Sequence, residues 1–184
     1  MKKPARKTLR INRAPVLTLW ASIVAERLGH AHDEALTLGK AVAGLNAQSK
    51  GRRLGIFHEA KKKPAEAARI RTPAGKARAV ELLGRQVPAV KTAAGVRAMV
   101  KGVPVTPESV ERYLEGKFGE ALPSARAAMK SLAKAFKRTT LEAEAFSLYE
   151  KFRPSVPEGT RGWGAGGELD LSRIRSLARK KDKS

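Results

Sequence analysis

Residues 14–45 read APVLTLWASIVAERLGHAHDEALTLGKAVAGL, and their pattern sets the architecture of the chain. From Ala14 to Ala25 no residue is charged, the longest such run in the sequence. Those 12 residues are too few for a membrane span, which needs about 20. Val16, Leu19, Trp20, Ile23, Val24 and Leu28 recur at helical spacing. Pro15 suits the first helical position, where the missing N–H has no partner to lose. Gly29, free to adopt positive φ, ends the helix. Asp33 is placed to cap a second helix running to about Gln48, with Ala35, Leu38, Val42 and Leu45 on its apolar side. Gly39 and Ala43 lie one turn apart and form a small-residue seam that lets two helices approach closely.

Before this stretch, residues 1–13 carry six Lys/Arg and almost nothing apolar, which predicts a flexible basic arm. The arm looks like the start of a signal peptide. Yet Glu26 and Arg27 directly follow the apolar run, and no small-residue cleavage pattern is evident. The chain is therefore expected to be uncleaved and cytoplasmic, in a bacterial style.

Beyond it, Leu54 to Phe57 suggests a short strand, and Lys61-Lys62-Lys63-Pro64 a solvated loop. Val80 to Leu83 and Val87 to Val90 flank Gly84-Arg85-Gln86 and predict a β-hairpin. Met99 to Val105 adds one more short strand around Lys101-Gly102. Thr106-Pro107-Glu108 starts a helix that ends near Gly116. A further helix runs from about Glu120 to Lys137, burying Leu122, Ala125, Met129, Leu132 and Phe136. Another starts at Thr140 and buries Leu141, Ala145, Leu148, Tyr149 and Phe152. After a loop rich in Gly and Pro, Asp170 caps a last helix with Ile174 and Leu177 inward. The expected fold is mainly α, a compact helical protein with a small β-hairpin or wing. It divides into arm 1–13, basic helical segment 14–105, helical scaffold 106–152 and a 153–184 segment of loop, short helix and basic tail.

Charge is the strongest functional signal. The chain of 184 residues has 38 Lys+Arg against 17 Asp+Glu, a net charge of +21. Residues 1–63 hold a net +10, residues 64–105 +6, residues 106–152 only +1, and residues 153–184 +4. A surface this basic attracts polyanions, and each neutralised phosphate releases counterions. The residues expected to meet nucleic acid are Lys40, Lys50, Arg52, Arg53, Lys61, Lys62, Lys63, Arg69, Arg71, Lys76, Arg78 and Arg85. Few rings are interleaved with them, which disfavours base stacking on single strands. Duplex DNA, or structured RNA, suits the composition better. The near-neutral 106–152 block and Trp163, prominent between glycines, are the candidate contacts for a protein partner.

Ala21 to Lys40 resembles a helix-turn-helix. Ala25 stands four residues before Gly29, and Val24, Leu28, Ala35 and Leu38 occupy the buried positions of that family. The resemblance implies a recognition helix presenting Thr37, Lys40, Ala41 and Gly44. With a hairpin over 80–90 the whole looks like a winged helix, with Arg78, Arg85 and Lys91 on or beside the wing. The competing reading of the same residues is a plain αα-hairpin inside a helical core.

Catalytic patterns are sparse. Without cysteine there is no disulfide framework, no thiolate zinc site and no cysteine nucleophile. His30, His32 and His58 would make a metal site only if the fold brought them together. Gly162-Trp163-Gly164-Ala165-Gly166-Gly167 matches G-x-G-x-x-G formally, but prolines rather than a strand precede it. The expectation is a non-enzymatic nucleic-acid-binding protein without a cofactor, of transcriptional or nucleoid-associated type. A protein-interaction module stands second, and a small metal-dependent enzyme at the histidines third.

Overall fold

The computed structural model describes residues 8–53, 78–155 and 167–182. It begins with strand β1 (Thr8–Ile11) and helices α1 (Arg13–Arg27) and α2 (His32–Arg53). Strands β2 (Arg78–Leu82), β3 (Arg85–Thr92), β4 (Gly95–Val100) and β5 (Val103–Pro104) follow. Helices α3 (Pro107–Phe118), α4 (Leu122–Lys134) and α5 (Arg138–Phe152) come next, then strand β6 (Gly167–Asp170) and helix α6 (Leu171–Asp182). The fold is mainly α-helical with a small antiparallel sheet, as the periodicity predicts.

Helix α1 is the centre of the core. Every residue from Pro15 to Ala25 is buried, the outcome for a helix that is apolar or small all round. Helices α2, α3, α4 and α5 pack against it. Its buried hydroxyls bond within the helix, Thr18 Oγ1 donating to the Ala14 carbonyl at 2.9 Å and Ser22 Oγ to Leu19 at 2.8 Å. Trp20 is fully buried; its indole N–H donates to the Ala145 carbonyl of α5 at 2.9 Å. Phe152 stands edge-on to its ring, with centroids 5.3 Å apart.

After Gly29, at φ 110°, α2 returns along α1. A Cβ on Gly39 would lie 2.5 Å from the Thr18 carbonyl oxygen and 2.8 Å from the Ser22 amide nitrogen. The expected seam is thus a real close approach, and Ala43 is buried one turn on. Asp33, expected at the cap, lies inside the first turn and is exposed. There its carboxylate faces the positive end of the helix dipole.

Strands β2 to β5 form a meander in chain order. The expected hairpin over 80–90 forms, but it turns at Leu83-Gly84, with Leu82 opposite Arg85. Both turn residues have positive φ, 50° and 71°, the type I′ pattern whose twist matches paired strands. Lys101-Gly102 repeats it, at 52° and 76°, between β4 and β5. The hairpin between them, with Thr92 opposite Gly95, escapes sequence reading because Ala93-Ala94 carries no turn signal. There Thr92 Oγ1 ties the turn, donating to the Gly95 carbonyl at 2.7 Å and accepting the Ala94 N–H at 3.3 Å. Pro88 has no N–H to give, and the β3–β4 ladder extends only from Ala89 to Thr92. Just past β5 the Val105 N–H donates to the Ala98 carbonyl at 2.8 Å, while the Ala98 N–H donates to Thr37 Oγ1 of α2 at 3.0 Å.

The second sheet joins distant parts of the chain. Residues 8–11, expected in a flexible arm, form β1 and pair with β6, from Thr8 opposite Asp170 to Ile11 opposite Gly167. Leu9 and Ile11 supply the apolar content that the arm reading overlooked. The other edge of β6 exchanges two 3.1 Å backbone bonds between Glu168 and Ser155. Gly167, the last glycine of the formal nucleotide-loop match, therefore starts a strand. Its missing side chain has a packing reason: a Cβ there would meet Pro154 Cβ at 2.7 Å.

Helix α3 starts at Pro107 as expected and passes Gly116 to end at Phe118. Its opening turn is tied by Ser109 Oγ donating to the Thr106 carbonyl at 2.7 Å rather than by the Thr106 hydroxyl. The apolar positions expected of the helices at 120–137 and 140–152 are all buried. Asp170 accepts the Ser172 N–H at 2.9 Å at the start of α6, which buries Ile174 and Ala178. One continuous buried cluster takes in residues from Ile11 to Ala178, so the basic and near-neutral segments share a core. Among the described residues, no helix is long and apolar enough to cross a membrane.

Candidate nucleic-acid interface

The first three turns of α2 show how far the recognition-helix expectation holds. Ala35, Leu36, Thr37, Leu38, Ala41 and Val42 are buried. Helix α1 covers one side of α2 and the meander another. Thr37 spends its hydroxyl on Ala98 and on the Glu34 carbonyl, at 2.8 Å, and Ala41 is 3% exposed. Neither reaches a groove, so the expected base-reading set is corrected: this part of α2 is core, and the αα-hairpin describes it.

Lys40 is held too. Its Nζ sits 3.5 Å from the centre of the Tyr113 ring, a close cation–π contact. Burial, and then the charge of Lys117, hold its ammonium below the usual lysine range. Burial likewise pushes the Tyr113 phenol up.

The far end of α2 is arranged differently. Arg85 opens β3, and its Nη2 donates to Asn46 Oδ1 of α2 at 3.3 Å. Lys50 lies one turn beyond Asn46, with Arg52 and Arg53 closing the helix. The start of β3 is therefore tied to α2 one turn before Lys50. Arg78, at the start of β2, and Lys91, on β3, are exposed on the same meander. Lys101, exposed in its turn, adds a cation that the expected set omits; the Lys-Gly pair between two valines was its signal. The described part of the meander has a single acid, Glu81. Among the described residues, Arg78, Lys91 and Lys101 have no carboxylate in ion-pair reach. Arg97 is different: 9% exposed, it donates to the Val96 and Ala94 carbonyls at 2.9 and 3.2 Å, so it braces a turn.

Lys61, Lys62, Lys63, Arg69, Arg71, Lys76 and Trp163 lie outside the described residues. So does His58. His30 and His32 are each taken by a different carboxylate, Nδ1 to Glu34 Oε1 at 2.9 Å and Nδ1 to Glu26 Oε1 at 2.6 Å. Among the described residues, no three His, Asp or Glu gather as metal ligands.

One more basic region went unread in the sequence. Arg27 Nη2 donates to the Phe136 carbonyl at 3.2 Å, and Lys181 Nζ stands 5.4 Å over the Phe136 ring. These bring the ends of α1 and α6 to the exposed Lys134, Lys137 and Arg138. A net count over 106–152 hides them, although no acid occurs between Glu120 and Glu142. Arg27, Lys134 and Lys181 stand in last turns, at negative dipole ends, whereas Lys137 and Arg138 open α5 at its positive end.

No family model matches the chain, and neither a curated protein nor a solved structure matches it.

Proposed function

We propose that the protein is a non-enzymatic nucleic-acid-binding protein that prefers duplex DNA and grips phosphates rather than reading bases. The observation that carries this reading is the bond from Arg85, beside the β2–β3 turn, to Asn46 of α2, one turn before Lys50. Arg78, Lys91 and Lys101 add exposed cations elsewhere on the meander. Arg forks match phosphate oxygens and Lys supplies point charges. Binding of this kind is driven by counterion release and is indifferent to sequence, which suits a cytoplasmic, nucleoid-associated role. Burial of Thr37 and Ala41 removes helix insertion by the start of α2 from the mechanism.

The test is a titration of duplex DNA at several salt concentrations. The logarithm of affinity should fall linearly with the logarithm of salt, with a slope worth several phosphates. Neutralising Arg52, Arg53, Lys61, Lys62 and Lys63 together should weaken binding to all sequences alike. Absence of binding at low salt removes the reading.

A further inference from the structure

Val103 is the one large apolar side chain that stands exposed among the described residues, at 61%. It belongs to a groove of about 250 Å³ between the β4–β5 hairpin and the start of α3. Val100, Val105 and Val110 line it, Pro104 borders it, and Lys40 and Ser109 supply its polar groups. The volume falls just below the range of about 300–1,000 Å³ that takes drug-sized molecules, and it suits aliphatic side chains.

Cations gather on one side of the groove, and exposed Glu108 neighbours the lining Ser109. Lys40 lies in its lining with Nζ over Tyr113, and Lys117 Nζ stands 6.0 Å from the same ring. The charge that acts on Lys40 is that of Lys117, another cation. Lys101, next in chain to the lining Val100, is exposed in the hairpin turn. The edge itself is closed to strand addition, because Pro104 has no N–H to offer. A partner must therefore be held by its side chains.

We infer that this groove docks an acidic peptide segment of a protein partner, with an aliphatic side chain seated among the valines and a carboxylate facing Lys40. The aliphatic lining favours a peptide over nucleic acid. A base would want an open aromatic face, and Lys40 already occupies that of Tyr113. The groove has Lys101 in common with the phosphate-binding surface, but its aliphatic lining does not depend on that reading.

The test uses the full chain and three probes: a short peptide alternating Glu and Val, its counterpart alternating Glu and Ser, and duplex DNA. Binding is followed by anisotropy and by the methyl NMR signals of Val103, Val105 and Val110. The Glu/Val peptide should shift those methyls. Lys40→Met, which keeps an aliphatic stem, and Val103→Ser, at an exposed site, should each weaken it about tenfold, the scale of a single charge-assisted or apolar interaction. The Glu/Ser peptide should bind more weakly and leave the methyls in place. Equal binding of the two peptides overturns the proposal, as do unchanged affinity in both variants or equal methyl shifts with DNA. Melting curves of both variants separate a docking defect from a folding defect.

Discussion

Thr37 on α2 and Ala98 on β4 are joined by a 3.0 Å hydrogen bond in which a helix hydroxyl accepts a strand amide. The chain just past β5 pairs with the Ala98 carbonyl through the Val105 N–H at 2.8 Å but leaves that amide to the helix. A side chain at the centre of a presumed reading helix thus serves as the missing partner of a sheet edge.

Thr37→Val preserves shape and deletes the acceptor. It strands a buried N–H, and a loss of about 1–3 kcal/mol is expected. Thr37→Ser should keep most of the stability. Urea midpoints give the size, and hydrogen exchange should show faster loss of protection at Ala98 in the valine variant alone.

Gly39 and Gly44 share α2 but should respond oppositely to alanine. At Gly39 the new Cβ meets the Thr18 carbonyl oxygen at 2.5 Å, so the two helices must part, at about 1–3 kcal/mol. At Gly44 it meets nothing within 4 Å, so Gly44→Ala should gain roughly 0.5–1 kcal/mol through the entropy of the unfolded chain. Equal effects in thermal melts would contradict the close approach.

Tyr149 makes stability depend on alkaline pH. Burial, partly offset by Arg13 and Arg153, pushes its phenol up to about 12. In the unfolded chain a tyrosine loses its proton near pH 10, roughly the unperturbed value. Across this window the folded protein binds more protons, so stability falls as pH rises. The contribution is complete below about pH 10 and gone once the folded group ionises. In Tyr149→Phe this part of the fall should vanish, although the 3.3 Å bond to the Arg13 carbonyl is also removed. Urea midpoints across the window, compared between the two proteins, isolate the effect.

Arg78, Lys91 and Lys101 should affect DNA binding, while Arg97 should affect folding. Each of the first three changed to Gln should lower the salt slope by about 0.9 for every phosphate it no longer neutralises. Arg97→Gln removes the brace on the Val96 and Ala94 carbonyls and should lower the melting temperature. A lower melting temperature in all four variants, with unchanged salt slopes, would place the three exposed cations outside the interface.

Much of the helical body was legible because burial repeats every turn: Leu122, Ala125, Met129 and Leu132 announce α4. A turn was visible at Gly84-Arg85-Gln86, yet the register shifted because Leu83 takes a positive φ that its type seldom adopts, and Lys101-Gly102, expected within one short strand, turns between two instead. The Thr92–Gly95 turn and the β1–β6 ladder were illegible for another reason. One rests on a hydroxyl bond and the other on partners at opposite ends of the sequence, and neither leaves a local period. Candidate site residues followed the same division. Charge counts located the basic surface, but exposure alone separates Lys91 from Arg97, and exposure is decided by packing across the chain.

The β1–β6 ladder orders events during synthesis. Thr8–Ile11 leave the ribosome long before Gly167–Asp170. Until then the N-terminal strand is an unpaired edge beside the nascent core. A stalled translation product ending before Gly167 would carry that edge permanently, together with the apolar surface that Leu169, Leu171 and Ile174 should cover. Such a fragment has the features that chaperones and proteases act on. The ladder thereby marks off chains that have reached β6 from those that have not.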